Sequence, residues 1–158
     1  MNKKKIETFI YQDFGFPIKL INVPMKKIFG EWFLDINLSQ LQKNILNLLI
    51  HKQARLTGAE IRFIRKYFEM TTTQFGLCFG ATHAAVLKWE KEESLMNPTT
   101  ELCIRLYVFD RLLIKDKEFR KFYHTVYEEI VSPHKARRDK IKHIPIEIDA
   151  NNELFAIS

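Results

Sequence analysis

The chain has 158 residues and a mass of 18.8 kDa, enough for one well-packed domain or two very small ones. Apolar residues make up 46% and charged residues 28%, which excludes a disordered chain. There is no run of 18 apolar residues, no signal-peptide pattern after Met1-Asn2-Lys3-Lys4-Lys5, and no metal-ligand spacing around the two cysteines, Cys78 and Cys103. A membrane protein, a secreted disulfide scaffold and a structural zinc module are therefore not expected. A reducing, cytoplasmic setting is.

The net charge of +6 is unevenly spread. Residues 1–70 carry +6, residues 71–98 carry −1, residues 99–131 are neutral, residues 132–143 carry +4 and the last fifteen carry −3. Such a basic run can bind a polyanion by releasing counterions, or serve only as a solvated linker.

In chain order, residues 1–36 read as a short helix or arm followed by a β-hairpin. Ile18, Leu20, Val23, Ile28, Trp32, Leu34 and Ile36 alternate in part, with Pro17, Pro24 and Gly30 as breaks. Residues 38–51 predict a helix, with Leu38, Leu41, Ile45, Leu48 and Leu49 at helical spacing and Asn37 and Gln40 as its cap. Thr57 with Glu60 has capping-box spacing ahead of Ile61, Ile64 and Phe68. Thr71 with Gln74 repeats it before a short helix that stops at Gly80. Thr82 caps the next helix, which turns Val86 and Trp89 inward. Asn97-Pro98 opens another, with Leu102, Leu106, Phe109 and Leu113 on one stripe. A last helix has Phe119, Phe122, Tyr123, Val126, Tyr127 and Ile130 on one face, and Ser132-Pro133 ends it. Ile144, Ile146 and Ile148 alternate as an edge strand. Asn151-Asn152 then reads as a turn, with a second strand over 154–157.

Residues 72–91 fit a helix-turn-helix, two helices joined by a short glycine-containing turn. Phe75 and Phe79 face the core, Gly76 allows the second helix to cross the third, and Gly80 permits the turn. His83, Ala84, Leu87 and Lys88 are left on the outer side of the third helix. The strings Leu56-Thr57-Gly58-Ala59-Glu60-Ile61-Arg62-Phe63-Ile64-Arg65, Met70-Thr71-Thr72-Thr73-Gln74-Phe75 and Val86-Leu87-Lys88-Trp89-Glu90 resemble a Cro/C1-type (XRE-family) helix-turn-helix domain over residues 56–114. They are similar to antitoxin-type regulators of the HigA and MqsA kind. The resemblance implies a dimer on operator DNA, often repressing its own operon, and leaves room for a toxin or other protein partner. Thr72 and Thr82 would meet phosphates, and His83, Ala84 and Lys88 would face base edges in the major groove. Arg62, Arg65 and Lys91 are further basic candidates. Lys135, Arg137 and Arg138 would be phosphate contacts of the basic run.

The expected fold class is mainly α. It comprises a five-helix Cro/C1-type core with an N-terminal β-hairpin plus helix and short C-terminal strands. Its parts are an accessory region over 1–54, the DNA-binding domain with a C-terminal dimerisation helix over 55–131, and a basic linker with a β segment over 132–158. The expected function is a sequence-specific, dimeric repressor on double-stranded DNA, without cofactor, metal or membrane partner. The alternative is the same scaffold used as a protein-interaction module. No Ser/His/Asp set, P-loop or GxGxxG is present, so no enzyme is expected.

Overall fold

A computed structural model describes residues 2–112, 116–131 and 141–151. Among them are six α-helices and one four-stranded sheet, so the architecture is mixed α and β rather than mainly α. Two compact units form, one of residues 1–45 with 144–158 and the other of residues 46–143.

The first unit is built on the sheet. Strand β1 (Lys3–Tyr11) occupies the N-terminus, in place of the short helix or arm that the sequence suggests. Its Ile6 and Phe9 lie opposite Val23 and Leu20 of β2 (Ile18–Ile28). Strand β3 (Glu31–Leu34) pairs antiparallel with Met25–Ile28, and β4 (Ile146–Asp149) pairs parallel with Ile18–Ile21. β1 takes one edge of β2, so β3 and β4 share the other edge at different heights. This explains Pro24, which does not break the strand as its type suggests. Its carbonyl accepts from the Asp35 N–H at 2.8 Å, on the edge between the two partner strands. The N–H that proline lacks falls in that gap, where no ladder bond is lost. Ile18, Leu20, Val23, Met25 and Ile148 are buried, so β2 alternates only in part: the buried phase shifts by one residue at Asn22, whose φ is +54°, and Ile28 is exposed. Helix α1 (Leu38–Ile50) follows, with the Gln40 N–H on the Asn37 Oδ1 at 3.1 Å. Leu41, Ile45, Leu46, Leu49 and Ile50 are buried. Leu38 and Leu48, which the spacing places inward, are exposed. The division between units falls inside α1, and β4 belongs with the N-terminal strands.

The second unit holds α2 (Gly58–Tyr67), α3 (Thr72–Cys78), α4 (His83–Glu90), α5 (Pro98–Arg111) and α6 (Asp116–Val126), which ends in a π turn (Tyr127–Val131). Its caps are those expected. Thr57, Thr71, Thr82 and Asn97 each accept a backbone N–H of the following turn, and Thr71 with Gln74 forms a complete capping box. The predicted stripe on α5 is displaced. Of its members Phe109 is buried, Leu102 and Leu106 are half-buried and Leu113 lies outside the described residues, while Glu101, Ile104, Arg105 and Val108 complete the inner face.

Two charged residues take that face because the loop before α2 needs both donors and an acceptor. Arg105 donates to the carbonyls of Ile50 (3.1 Å), Lys52 (2.7 Å) and Ala54 (2.6 Å), and to Glu101 Oε2 at 2.8 Å. Arg55 meets Glu101 Oε1 at 3.0 Å and donates to the Met96 carbonyl. The Leu56 N–H adds a third donor to Glu101, at 3.1 Å from Oε1. All three charged side chains are buried. Beside them Lys52 and Glu60 pair at 2.5 Å. Burial pushes the Glu60 carboxyl above the ordinary glutamate range, against the pull of Lys52 and Thr57. Burial likewise lowers the Arg105 guanidinium from its ordinary value, against Glu101.

The predicted α6 stripe divides in two. Phe122, Val126 and Ile130 are buried, and Phe119, Tyr123 and Tyr127 form an outer row. The turn at Ser132-Pro133, most of the basic run, and the strand over 154–157 lie outside the described residues.

Candidate nucleic-acid interface

Helices α3 and α4 are joined by residues 79–82. Gly80 has φ +66° there, a left-handed conformation that glycine adopts without strain. Gly76 is required by the turn more than by a helix crossing. A Cβ there would stand 2.5 Å from the Ala81 carbonyl oxygen. The Gly76 carbonyl accepts from Phe79 (3.1 Å) and Ala81 (2.8 Å), which closes the turn. Phe75 is buried, and Phe79 packs edge-on against Phe75 and Tyr107 at 4.9 and 5.6 Å.

Val86 and Trp89 are buried and anchor α4. His83, Ala84, Lys88 and Lys91 are all exposed, and Leu87 is half-buried. At 100° per residue the four exposed positions share an arc of about 140° on one side of the helix axis. Thr82 caps the helix by accepting from the Ala85 N–H at 3.1 Å, and its own hydroxyl proton stays available to a ligand. Thr72, at the start of α3, meets His83 Nδ1 at 2.5 Å. That bond ties the N-terminal ends of α3 and α4 together and orients the imidazole. Whichever group donates, Nε2 is the ring atom left for a ligand.

Arg65 has a different position from the one its spacing suggests. It is not turned outward: Nε and Nη2 hold Glu90 Oε1 at 3.0 and 2.8 Å, and Nη1 donates to the Met70 carbonyl at 3.0 Å. Arg65 thus clamps the C-terminal end of α4 to α2 instead of reaching for a phosphate. Arg62 is exposed. In the sequence Arg65 and Glu90 are only two residues of opposite charge, since nothing local links them.

Glu90, Glu92 and Glu93 place three carboxylates at and just beyond the end of α4. Glu90 is neutralised by Arg65. Glu92, at φ +58°, accepts from the Gly58 N–H at 3.0 Å and meets His143 Nε2 at 3.1 Å. Glu93 is exposed, and alone of the three it has no such partner among the described residues. Gly58 itself lies under α4, where a Cβ would stand 2.2 Å from the Glu90 carbonyl oxygen. Backbone cannot yield as a side-chain tip can. Gly58→Ala is expected to cost about 2 kcal/mol or more and to displace the C-terminal end of α4. A urea titration followed by circular dichroism checks this, and an unchanged midpoint would contradict the packing described.

Lys135, Arg137 and Arg138 lie outside the described residues. Among the described residues no cluster of His, Cys, Asp and Glu could hold a metal ion, and no helix is long and apolar enough to cross a membrane. Cys78 and Cys103 are both exposed. Comparison with protein families, with curated proteins and with solved structures finds no match for the chain.

Proposed function

We propose that this protein is a sequence-specific DNA-binding transcriptional regulator, with α3 and α4 as a helix-turn-helix of the Cro/C1 type inside a five-helix core. The observation that carries the reading is the exposed arc of α4. It presents His83, Ala84, Lys88 and Lys91 together, on a helix fixed from behind by Val86, Trp89 and the Arg65–Glu90 clamp. Lys88 would donate to guanine O6 or N7, Ala84 would meet a thymine methyl, and Nε2 of His83 would face a base edge. Thr82 and the α3 end at Thr72 would meet phosphate. Lys135, Arg137 and Arg138 would add charge against the same DNA backbone.

The test is enrichment of genomic fragments on the purified chain at physiological salt. Recovery of fragments sharing one palindromic motif supports the reading. Retention without a motif, lost as salt rises, favours a protein-interaction module instead. That second reading rests on Leu77, which is 78% exposed on α3.

A repressor of this kind acts as a dimer, and the outer row of α6 is the surface we assign to it. Phe119, Tyr123 and Tyr127 stand 37%, 38% and 37% exposed, with ring centroids 6.1 and 5.8 Å apart along the row. Tyr123→Glu combined with Tyr127→Glu is expected to convert a dimer to a monomer in light scattering. A wild-type chain that is already monomeric at tens of micromolar would contradict the assignment.

A further inference from the structure

The β2–β3 hairpin carries two costs that its own fold does not require. Phe29 at its turn is 102% exposed, and its φ is +49°. A bulky residue rarely adopts this left-handed conformation. Gly30 follows at φ +86°. Two successive positive φ values suit Asn-Gly, so asparagine would serve the turn with less strain and no exposed ring. A strained aromatic at a solvent-exposed tip points to a return from outside the fold. Ile28 beside it is also exposed, at 38%.

The stem of the hairpin is basic. Lys27 lies opposite Trp32, and Lys26 opposite Phe33. Successive pairs point to opposite faces of a ribbon, so each face has one lysine beside one aromatic ring. Lys4 places its ammonium 4.2 Å from the Trp32 ring centroid, and Lys3 lies opposite Lys26. Asp35 approaches Lys26 at 3.6 Å and Glu31 lies opposite Ile28, so two carboxylates offset part of this charge.

We infer that this hairpin is a second DNA contact: β1 borders β2 as far as Lys26, and the two-stranded tip beyond it, Ile28–Glu31, enters the major groove with Phe29 leading. The inference rests on the DNA-binding reading of α4 given above. A major groove about 12 Å wide admits such a ribbon, and a minor groove about 6 Å wide does not. Both groove walls are phosphate, which matches Lys26 and Lys27 on opposite faces at the base of the tip. The floor offers thymine methyls to Phe29 and cytosine amino groups to Glu31. Glu31 also separates DNA from an anionic membrane as the occupant. Insertion of Ile28 and Phe29 into lipid would bring that carboxylate against lipid phosphates.

The experiment measures binding of the full chain to a random-sequence 40-base-pair duplex by fluorescence anisotropy over a range of salt. Phe29→Ala is expected to weaken binding about fivefold with the salt slope unchanged, because an apolar side chain releases no counterions. Lys26→Ala with Lys27→Ala is expected to flatten the slope of log K on log salt by about 0.9 for each phosphate no longer neutralised. Phe29→Asn guards against a folding effect: it is expected to keep or raise Tm and to lose affinity as alanine does. Wild-type affinity and slope in all three variants would overturn the role of the hairpin and leave the α4 reading standing. A wild-type chain that binds no duplex at all would overturn both. Binding to phosphatidylserine vesicles that Phe29→Ala abolishes, with duplex binding unchanged, would overturn the inference in favour of a membrane.

Discussion

Glu101→Ala is expected to lower Tm by on the order of 10–20 °C, or to prevent folding at 37 °C. Glu101 is the one carboxylate that Arg55 and Arg105 both hold, at 3.0 and 2.8 Å, and all three side chains are buried. Removing it strands two cations, together with the Leu56 N–H. Breaking one buried pair costs about 3–5 kcal/mol, a large part of the roughly 5–15 kcal/mol by which domains of this size are stable. Apolar replacement of the whole cluster offers no escape, unlike many buried ion pairs. Arg105 supplies donors to the carbonyls of Ile50, Lys52 and Ala54, which would all lose them, those of Ile50 and Ala54 in buried positions. Thermal unfolding followed by far-ultraviolet circular dichroism checks this. A Tm within a few degrees of wild type would show that the cluster is dispensable.

Lys88→Glu is expected to reduce affinity for an enriched operator fragment on the order of 100-fold, with Tm unchanged. One base contact accounts for about 1–3 kcal/mol, and a carboxylate facing the groove adds repulsion. Lys88 is exposed and makes no ion pair among the described residues, so stability does not depend on it. A competition gel with operator and unrelated duplex separates specific from non-specific binding, since only the specific part should vanish. Equal weakening on both duplexes would place Lys88 on phosphate rather than on a base.

Local signals in the sequence carry well into the structure. A cap is a bond between a side chain and a backbone N–H two or three residues on, so Thr57, Thr71, Thr82 and Asn97 are legible from spacing alone. The exposed arc of α4 is legible for a similar reason, since Val86 and Trp89 fix which way the helix turns. What depends on distant partners is not. Glu101 and Arg105 look solvent-facing in the sequence because the carbonyls that Arg105 donates to lie at residues 50–54 and the donors to Glu101 at Arg55 and Leu56 are equally remote. Arg65 looks like a free cation because Glu90 is remote along the chain. Pro24 looks like a break because the gap between β3 and β4 depends on a strand that returns from near the other end of the chain. The positive φ of Phe29 has no marker beyond the glycine that follows it.

The most direct test of base reading by α4 is methylation interference on an enriched genomic fragment. Methylation of guanine N7 blocks the major-groove edge that Lys88 would use. Interference is expected in two patches about 10 base pairs apart, related by the two-fold symmetry of a dimer, with both patches lost together in Lys88→Glu. Protection of phosphates without any interference at guanine N7 would contradict it.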